Sequence, residues 1–344
     1  MGPVARNMSF ELFYRPDAHF SSSWIAASTT AQCAPRLKPI AEQRRGSLES
    51  VAPISDLITG TVLYNKMVED IVSGETDLTL TEHRILFLLE HIDGTKARIR
   101  MLADGLVLSS STVSDAVKLL EQRGLVRKVE CGNDLKAVWV APTDRGRALL
   151  SHCNDVILAE TQEYWDVVGT AVSDTYFENG RRLIERSEPR IASALNEPGP
   201  VFYSFISRRY LLSYVSWFKS TYNLSLIDVR VLMLLLERGK RLTCTEIAHL
   251  LRISNSAVSN AVRRLGRLRR YIDRMPGKSL HEVVIDLTDE GRERILEIRA
   301  RFAQFNQEQF GMTAEEFQSM LRTVQPRRRK SYLQRVFGES FADS

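Results

Sequence analysis

The sequence contains one unit written twice. Residues 78–89, LTLTEHRILFLL, align with residues 224–235, LSLIDVRVLMLL, at a shift of 146. Further on, Ala103 matches Ala248, Ser109 matches Ser254, Val113 matches Val258, and Thr143-Asp144 matches Thr288-Asp289, all at a shift of 145. A near-constant shift across some seventy residues marks two copies of one folding unit, with one loop residue lost between them. At 344 residues the chain is long enough for two units that each bury a core. The stretch Asn196-Glu197-Pro198-Gly199-Pro200 stops any helix and divides the copies. The expected layout is a flexible extension over residues 1–50, a first unit over 51–197 and a second over 198–344.

The centre of the first unit is the stretch from Ser109 to Gly124, which reads as a helix. Ser109 can cap its start, and Gly124 can take the left-handed conformation that ends it. Val113, Ala116, Val117 and Leu120 fall at the i, i+3, i+4, i+7 spacing of a buried stripe. Before it, Ile99, Leu102, Ala103 and Leu106 make a shorter amphipathic helix that leads through a tight turn, giving a helix-turn-helix. After it, the runs 125–129 and 137–140 flank the turn Cys131-Gly132-Asn133-Asp134, which predicts a β-hairpin, or wing. Amphipathic helices are expected over Ile54–Val72, from near Thr81 to Leu89, from Thr143 through Cys153 and Ile157 to Val167, and over about 172–195. In the second unit they are expected over Val201–Tyr222, 289–310 and 313–324. The fold class is mainly α with small β wings, built as two winged helix-turn-helix units.

The exposed stripe of each central helix is the candidate binding surface. In the first unit it carries Ser111, Ser114, Asp115, Lys118 and Gln122; in the second, Ser256, Ser259, Asn260, Arg263 and Arg267. Short polar side chains suit a helix pressed into the major groove of double-stranded DNA. Asparagine can bond adenine twice and arginine guanine twice, whereas Asp115 can only accept, as from a cytosine amino group. Residues 255–274 hold six Arg and one Asp, against four basic and two acidic residues over 110–129, so the second helix is the stronger candidate.

These motifs resemble the multiple-antibiotic-resistance repressor (MarR) family of bacterial winged-helix regulators. The resembling residues are the Ser-Ser-Ser-Thr-Val-Ser run at Ser109, Leu120-Glu-Gln-Arg-Gly-Leu-Val, Asn133-Asp134-Leu-Lys136 in the wing and Thr143-Asp-Arg-Gly after it. The resemblance covers roughly residues 54–337, counted twice. It implies a DNA operator as partner and terminal helices that interlock two subunits. With both units in one chain, as in the tandem staphylococcal accessory regulators, it implies an internal pseudo-dimer. Similar proteins accept small phenolic effectors between their dimerisation and DNA-binding parts. Tyr164, Trp165, Tyr203, Tyr210, Tyr214, Trp217 and Phe218 would line such a pocket here, or be core.

The sequence departs from the family in its wings and at one helix end. Where the family carries Asp-x-Arg, the first unit has Asp134 and Lys136 and the second has Ser279 and His281. Lys136 and Lys278 remain to meet phosphate. Gly266 lies inside the second central helix and Arg269 or Arg270 replaces Gly124, so that helix runs longer or ends by another route.

Other classes are less well supported. The net charge is +5 with a pI near 9, which weakly favours a polyanion. The longest apolar runs are far short of a membrane span, and the first thirty residues do not read as an export signal, so a soluble cytoplasmic protein is expected. The cysteines at 33, 131, 153 and 244 lack metal-ligand spacing and fit a reducing compartment. Cys131, in the wing turn, is the one candidate thiol sensor. Neither a phosphate-binding glycine loop nor a His-Glu zinc pattern is present, so no enzyme, metal or cofactor is expected. The competing reading is a winged-helix scaffold for protein partners, favoured by Asp115 and the missing wing arginines.

Overall fold

A computed structural model describes residues 54–92, 94–129, 139–168, 200–277 and 283–310, together with 178, 181, 182 and 185. The expected extension over 1–50, most of the helix expected at 172–195, the helix at 313–324, and both wing tips with Cys131, Lys136 and Lys278 lie outside the described residues.

The first half runs α1 (Ile54–Thr76), α2 (Leu80–His91), β1 (Ala97–Arg98), α3 (Ile99–Leu106), α4 (Ser110–Gln122), β2 (Val126–Val129), β3 (Trp139–Pro142) and α5 (Asp144–Val168). The second half has the same order: α6 (Pro200–Tyr222), α7 (Leu226–Arg238), β4 (Leu242–Thr243), α8 (Cys244–Leu251), α9 (Asn255–Arg267), β5 (Ile272–Pro276), β6 (Val283–Leu287) and α10 (Asp289–Phe310). Both ends of α6 lie 146 residues beyond those of α1. Each half holds a three-stranded antiparallel sheet, in the orders β1-β3-β2 and β4-β6-β5. Among the described residues no helix is long and apolar enough to cross a membrane.

Local chemistry sets the helix starts. Thr79 and Glu82 form a reciprocal capping box that begins α2 at Leu80, one residue before the sequence expectation. Ser225 with Asp228 and Thr243 with Glu246 do the same for α7 and α8. The Thr-Asp-x-Gly motif after each sheet ties the helix that follows the sheet to the end of the central one. Thr143 N donates to Leu125 O at 3.0 Å, Thr143 Oγ1 donates to Gly124 O at 2.8 Å, and Gly146 N donates to Thr143 Oγ1 at 3.0 Å. Thr288 repeats this with Tyr271 O at 3.1 Å, Arg270 O at 2.7 Å and Gly291 N at 3.0 Å. A Cβ on Gly146 would stand 2.1 Å from Leu125 O, and one on Gly291 1.9 Å from Tyr271 O, so only glycine permits the approach.

Helix α9 is thirteen residues long, as is α4, so it does not run on. Arg270, at φ 55°, takes the left-handed place that Gly124 fills at φ 68°. Leu125 N then closes onto Leu120 O at 2.9 Å, and Tyr271 N onto Leu265 O at 3.0 Å.

Helix α1 packs on α6 and α7, and α6 also packs on α5, so the halves meet along long helices. Buried side chains from both halves form one continuous cluster. At its middle Tyr64, Trp165 and Tyr203 meet edge to face, with ring centroids 4.6 to 5.6 Å apart. Glu237 of α7 reaches the first turn of α1, where its Oε1 accepts from Ile54 N at 2.7 Å and its carboxylate also accepts from Ser55 Oγ.

His83 of α2 is fully buried, with Nε2 3.1 Å from Asn154 Oδ1, and burial pushes its pKa down to about 4. An unfolded chain takes up this proton near pH 6.5, while the folded chain does so only near pH 4, so stability falls as the pH drops through that window. The full loss is about 3 kcal/mol. His83→Gln keeps a donor for Asn154 and removes the titration. Its melting temperature should vary less than the parent's between pH 6.5 and 4, and equal slopes would refute this account.

Candidate nucleic-acid interface

Helices α4 and α9 are delivered by the same turn. Val107 at φ 57° and Arg252 at φ 53° are left-handed residues without glycine's freedom, and each closes back onto the preceding helix. Leu108 N donates to Ala103 O at 3.0 Å and Ile253 N to Ala248 O at 3.1 Å. Ser109 Oγ then caps α4 by accepting from Thr112 N at 3.1 Å, and Ser254 Oγ caps α9 by accepting from Ala257 N at 3.1 Å. The inner faces match residue for residue: Val113, Ala116, Val117 and Leu120 are buried, as are Val258, Ala261, Val262 and Leu265.

The outer faces present the expected stripes. Ser111, Asp115, Lys118 and Gln122 are exposed on α4 and Ser114 is half-buried, while Ser256, Ser259, Asn260, Arg263 and Arg267 are all exposed on α9. Their electrostatics differ. Lys118 Nζ lies 3.2 Å from Asp115 Oδ1, so the charges of the α4 stripe offset one another. On α9, Arg263 Nη2 donates to the neutral Asn260 Oδ1 at 2.7 Å, which orients both side chains and leaves the charge in place. Ser111 and Ser256 each lie 2.8 Å, hydroxyl to hydroxyl, from their capping serine.

Not every arginine near α9 faces outward. Arg264 Nη2 is 2.8 Å from Asp228 Oδ1 on a carboxylate 6% exposed, which ties α9 to α7. Arg269 Nη2 donates to Asn223 O at 3.0 Å, just past the end of α6. In the first half Arg123 does likewise, donating to Thr76 O at 3.0 Å at the end of α1 and to Asp77 O at 3.1 Å just past it. The count of six Arg against one Asp over 255–274 therefore overstates the charge available to a ligand, since two of the six arginines hold the fold together.

A basic cluster apart from the two stripes sits at the base of the first sheet. Lys96 Nζ is 5.6 Å and Arg98 Cζ 5.0 Å from the Trp139 ring centroid. Arg98 occupies the N-cap of α3 without a capping hydrogen bond, where Thr243 in the second half forms a capping box. The run Lys96-Ala-Arg98-Ile-Arg100 was the signal in the sequence.

The side chain of Tyr164 lies outside the described residues, and the other six aromatic candidates for an effector pocket are packed into the core. Trp165, Tyr203, Tyr210, Tyr214 and Phe218 are buried, Tyr214 Oη donates to Asn306 Oδ1 at 2.8 Å, and Trp217 stacks on Phe305 at 4.6 Å. A groove of about 500 Å³ opens elsewhere, beside Glu75, Asp77, Arg123, Arg145 and His152, and none of those aromatic rings lines it. Cys153 is buried with Sγ 3.4 Å from Thr76 Oγ1, and burial raises its thiol pKa, which suits a core residue. Among the described residues no cluster of His, Cys, Asp or Glu could hold a metal ion.

Residues 76–137 match the MarR family. Similar solved structures include the transcriptional regulator BldR from Sulfolobus solfataricus, at 21% identity over 37% of this chain and 85% of that one, with a TM-score of 0.28. They also include AbsC, a MarR family transcriptional regulator from Streptomyces coelicolor, at 19% identity over 48% of this chain and 98% of that one, with a TM-score of 0.31. No curated protein sequence matches the chain.

Two neighbouring arginines of α9 separate structure from surface. Arg264→Ala strips the charged partner from a buried carboxylate, which keeps its bond from Ser225 N, and should destabilise the chain by about 1 kcal/mol, allowing for Arg264's partial exposure. Arg263→Ala should leave stability unchanged. Equal losses in urea denaturation would contradict the assignment.

Proposed function

We propose that the chain is a sequence-specific transcriptional regulator that binds a double-stranded DNA operator through two non-identical recognition helices, α4 and α9, held in one internal pseudo-dimer. In this reading the first unit spans 51–197 and the second 198–344. The observation that carries it is the outer stripe of α9: Ser256, Ser259, Asn260, Arg263 and Arg267 stand exposed on a capped helix whose opposite face is wholly buried. Such a helix protrudes with bidentate donors and acceptors pointing away from the core, as reading a major groove requires. The MarR match over 76–137 supports the same reading for the first unit.

The two helices share the work unequally. Asn260 and Arg263 suit adenine and guanine, while the Asp115–Lys118 pair leaves Ser111, Ser114 and Gln122 as the main polar contacts of α4. Lys136 and Lys278 in the wings are assigned phosphate contacts, and Lys96 and Arg98 beside Trp139 add cations at the base of the first wing. A small aromatic effector would have to part the Tyr64, Trp165 and Tyr203 rings to enter between α1 and α6, so control of that kind requires the helical seam to open.

Binding to random duplex DNA over a range of salt tests the proposal. Affinity should fall steeply with salt as phosphate contacts are screened. Arg263→Ala should weaken binding about tenfold or more, and Lys118→Ala about threefold or less, because Asp115 already offsets Lys118. Failure to bind even at low salt would favour a protein scaffold, and a larger loss at Lys118 would reverse the ranking of the two helices.

A further inference from the structure

Arginine appears at the same place in both halves, and both copies are almost wholly buried: Arg84 in α2 and Arg230 in α7 are each 2% exposed and 146 residues apart. Each reaches the last carbonyl of the short helix before its recognition helix. Arg84 Nη2 donates to Leu106 O at 3.5 Å, and Arg230 Nη2 donates to Leu251 O. These carbonyls belong to helix ends that lack intrahelical partners, and they directly precede the left-handed residues Val107 and Arg252. Burial lowers the pKa of both guanidinium groups, Arg230 to about 10.

The partners across the seam are what make these arginines more than caps. Arg230 Nη2 also donates to Thr59 Oγ1 of α1 at 3.2 Å, and Arg84 lies 5.1 Å over the Phe205 ring of α6. Thr59 and Phe205 are themselves 146 residues apart. Equivalent residues of the two halves thus exchange partners, the reciprocity expected of a two-fold contact. The first half carries an additional tie, because Arg209 of α6, 1% exposed, donates through Nη1 to Gly105 O at 2.6 Å.

We propose that Arg84, Arg209 and Arg230 are positioning residues: each turn that launches a recognition helix is held by a hydrogen-bonded latch that includes a residue of the opposite half. The separation and mutual orientation of α4 and α9 are then set by the seam, and neither helix can shift without disturbing α1 or α6. Applied to DNA this rests on the regulator reading above, but the latch itself is a property of the free protein.

Two full-length variants probe it from opposite sides. Thr59→Val lies in the first half and removes an acceptor from Arg230 without changing side-chain volume; Arg209→Gln lies in the second half and withdraws the donor from Gly105 O. Amide hydrogen exchange should rise about fivefold at Ile253 in Thr59→Val with little change at Leu108, and at Leu108 in Arg209→Gln with little change at Ile253. Arg209→Lys should restore part of the protection. On DNA, footprints should weaken at the α9 half-site for Thr59→Val and at the α4 half-site for Arg209→Gln. Changes confined to the substituted half, or spread evenly over both turns, would overturn the latch. Crossed exchange in a chain that binds no DNA would retain the latch and remove the regulator reading.

Discussion

The seam between α1 and α6 is the constraint on which the other elements depend. A two-helix turn of eight and thirteen residues cannot bury enough apolar surface to stand by itself, and here each one leans on helices that run into the other half. The Tyr64, Trp165 and Tyr203 rings, the Glu237 cap on α1 and the buried arginines under each turn all cross or border that seam. Close packing makes such an interface resist small displacements, so α4 and α9 inherit its geometry.

Against that fixed frame the outer faces of α4 and α9 differ chemically. The four buried positions of α4 recur in α9 as identical residue types, which keeps the docking of the two helices alike. The outward positions differ in sign and in hydrogen-bonding capacity: aspartate beside lysine on one helix, asparagine beside arginine on the other. A symmetric frame with asymmetric contacts is the arrangement that would read two unlike half-sites.

Much of this was legible in the sequence because it rests on local chemistry. The serine caps at Ser109 and Ser254 and the apolar stripes act over a few residues, so spacing alone reveals them, whereas the Thr-Asp-x-Gly motif was visible as a repeated pattern but its tie to Gly124 and Arg270, 19 and 18 residues back, was not. Arg263 and Arg267 fall on the exposed stripe as their spacing implies, but the roles of the inward-facing arginines were not legible. Arg263 and Arg264 are adjacent and identical in type, yet one faces solvent and the other pairs with Asp228, thirty-six residues away in the chain. Arg84 sits in an apolar run where a period count finds only an interruption, and its acceptor and its covering ring come from α3 and from the other half. The left-handed turn at Arg270 was ambiguous for a similar reason, since arginine rarely takes that conformation unless tertiary contacts such as Thr288 Oγ1 to Arg270 O fix it.

The central claim is that two rigidly related but chemically distinct helices read one operator, and selecting binding sites from a random pool of duplex DNA tests it most directly. The account predicts two half-sites about one helical turn apart, roughly 10 base pairs centre to centre, with different sequences and with the α9 half more sensitive to mutation. Recovery of a perfect inverted repeat, with both halves equally sensitive, would contradict it, because identical half-sites cannot be read by the Asp115–Lys118 and Asn260–Arg263 surfaces in the same way.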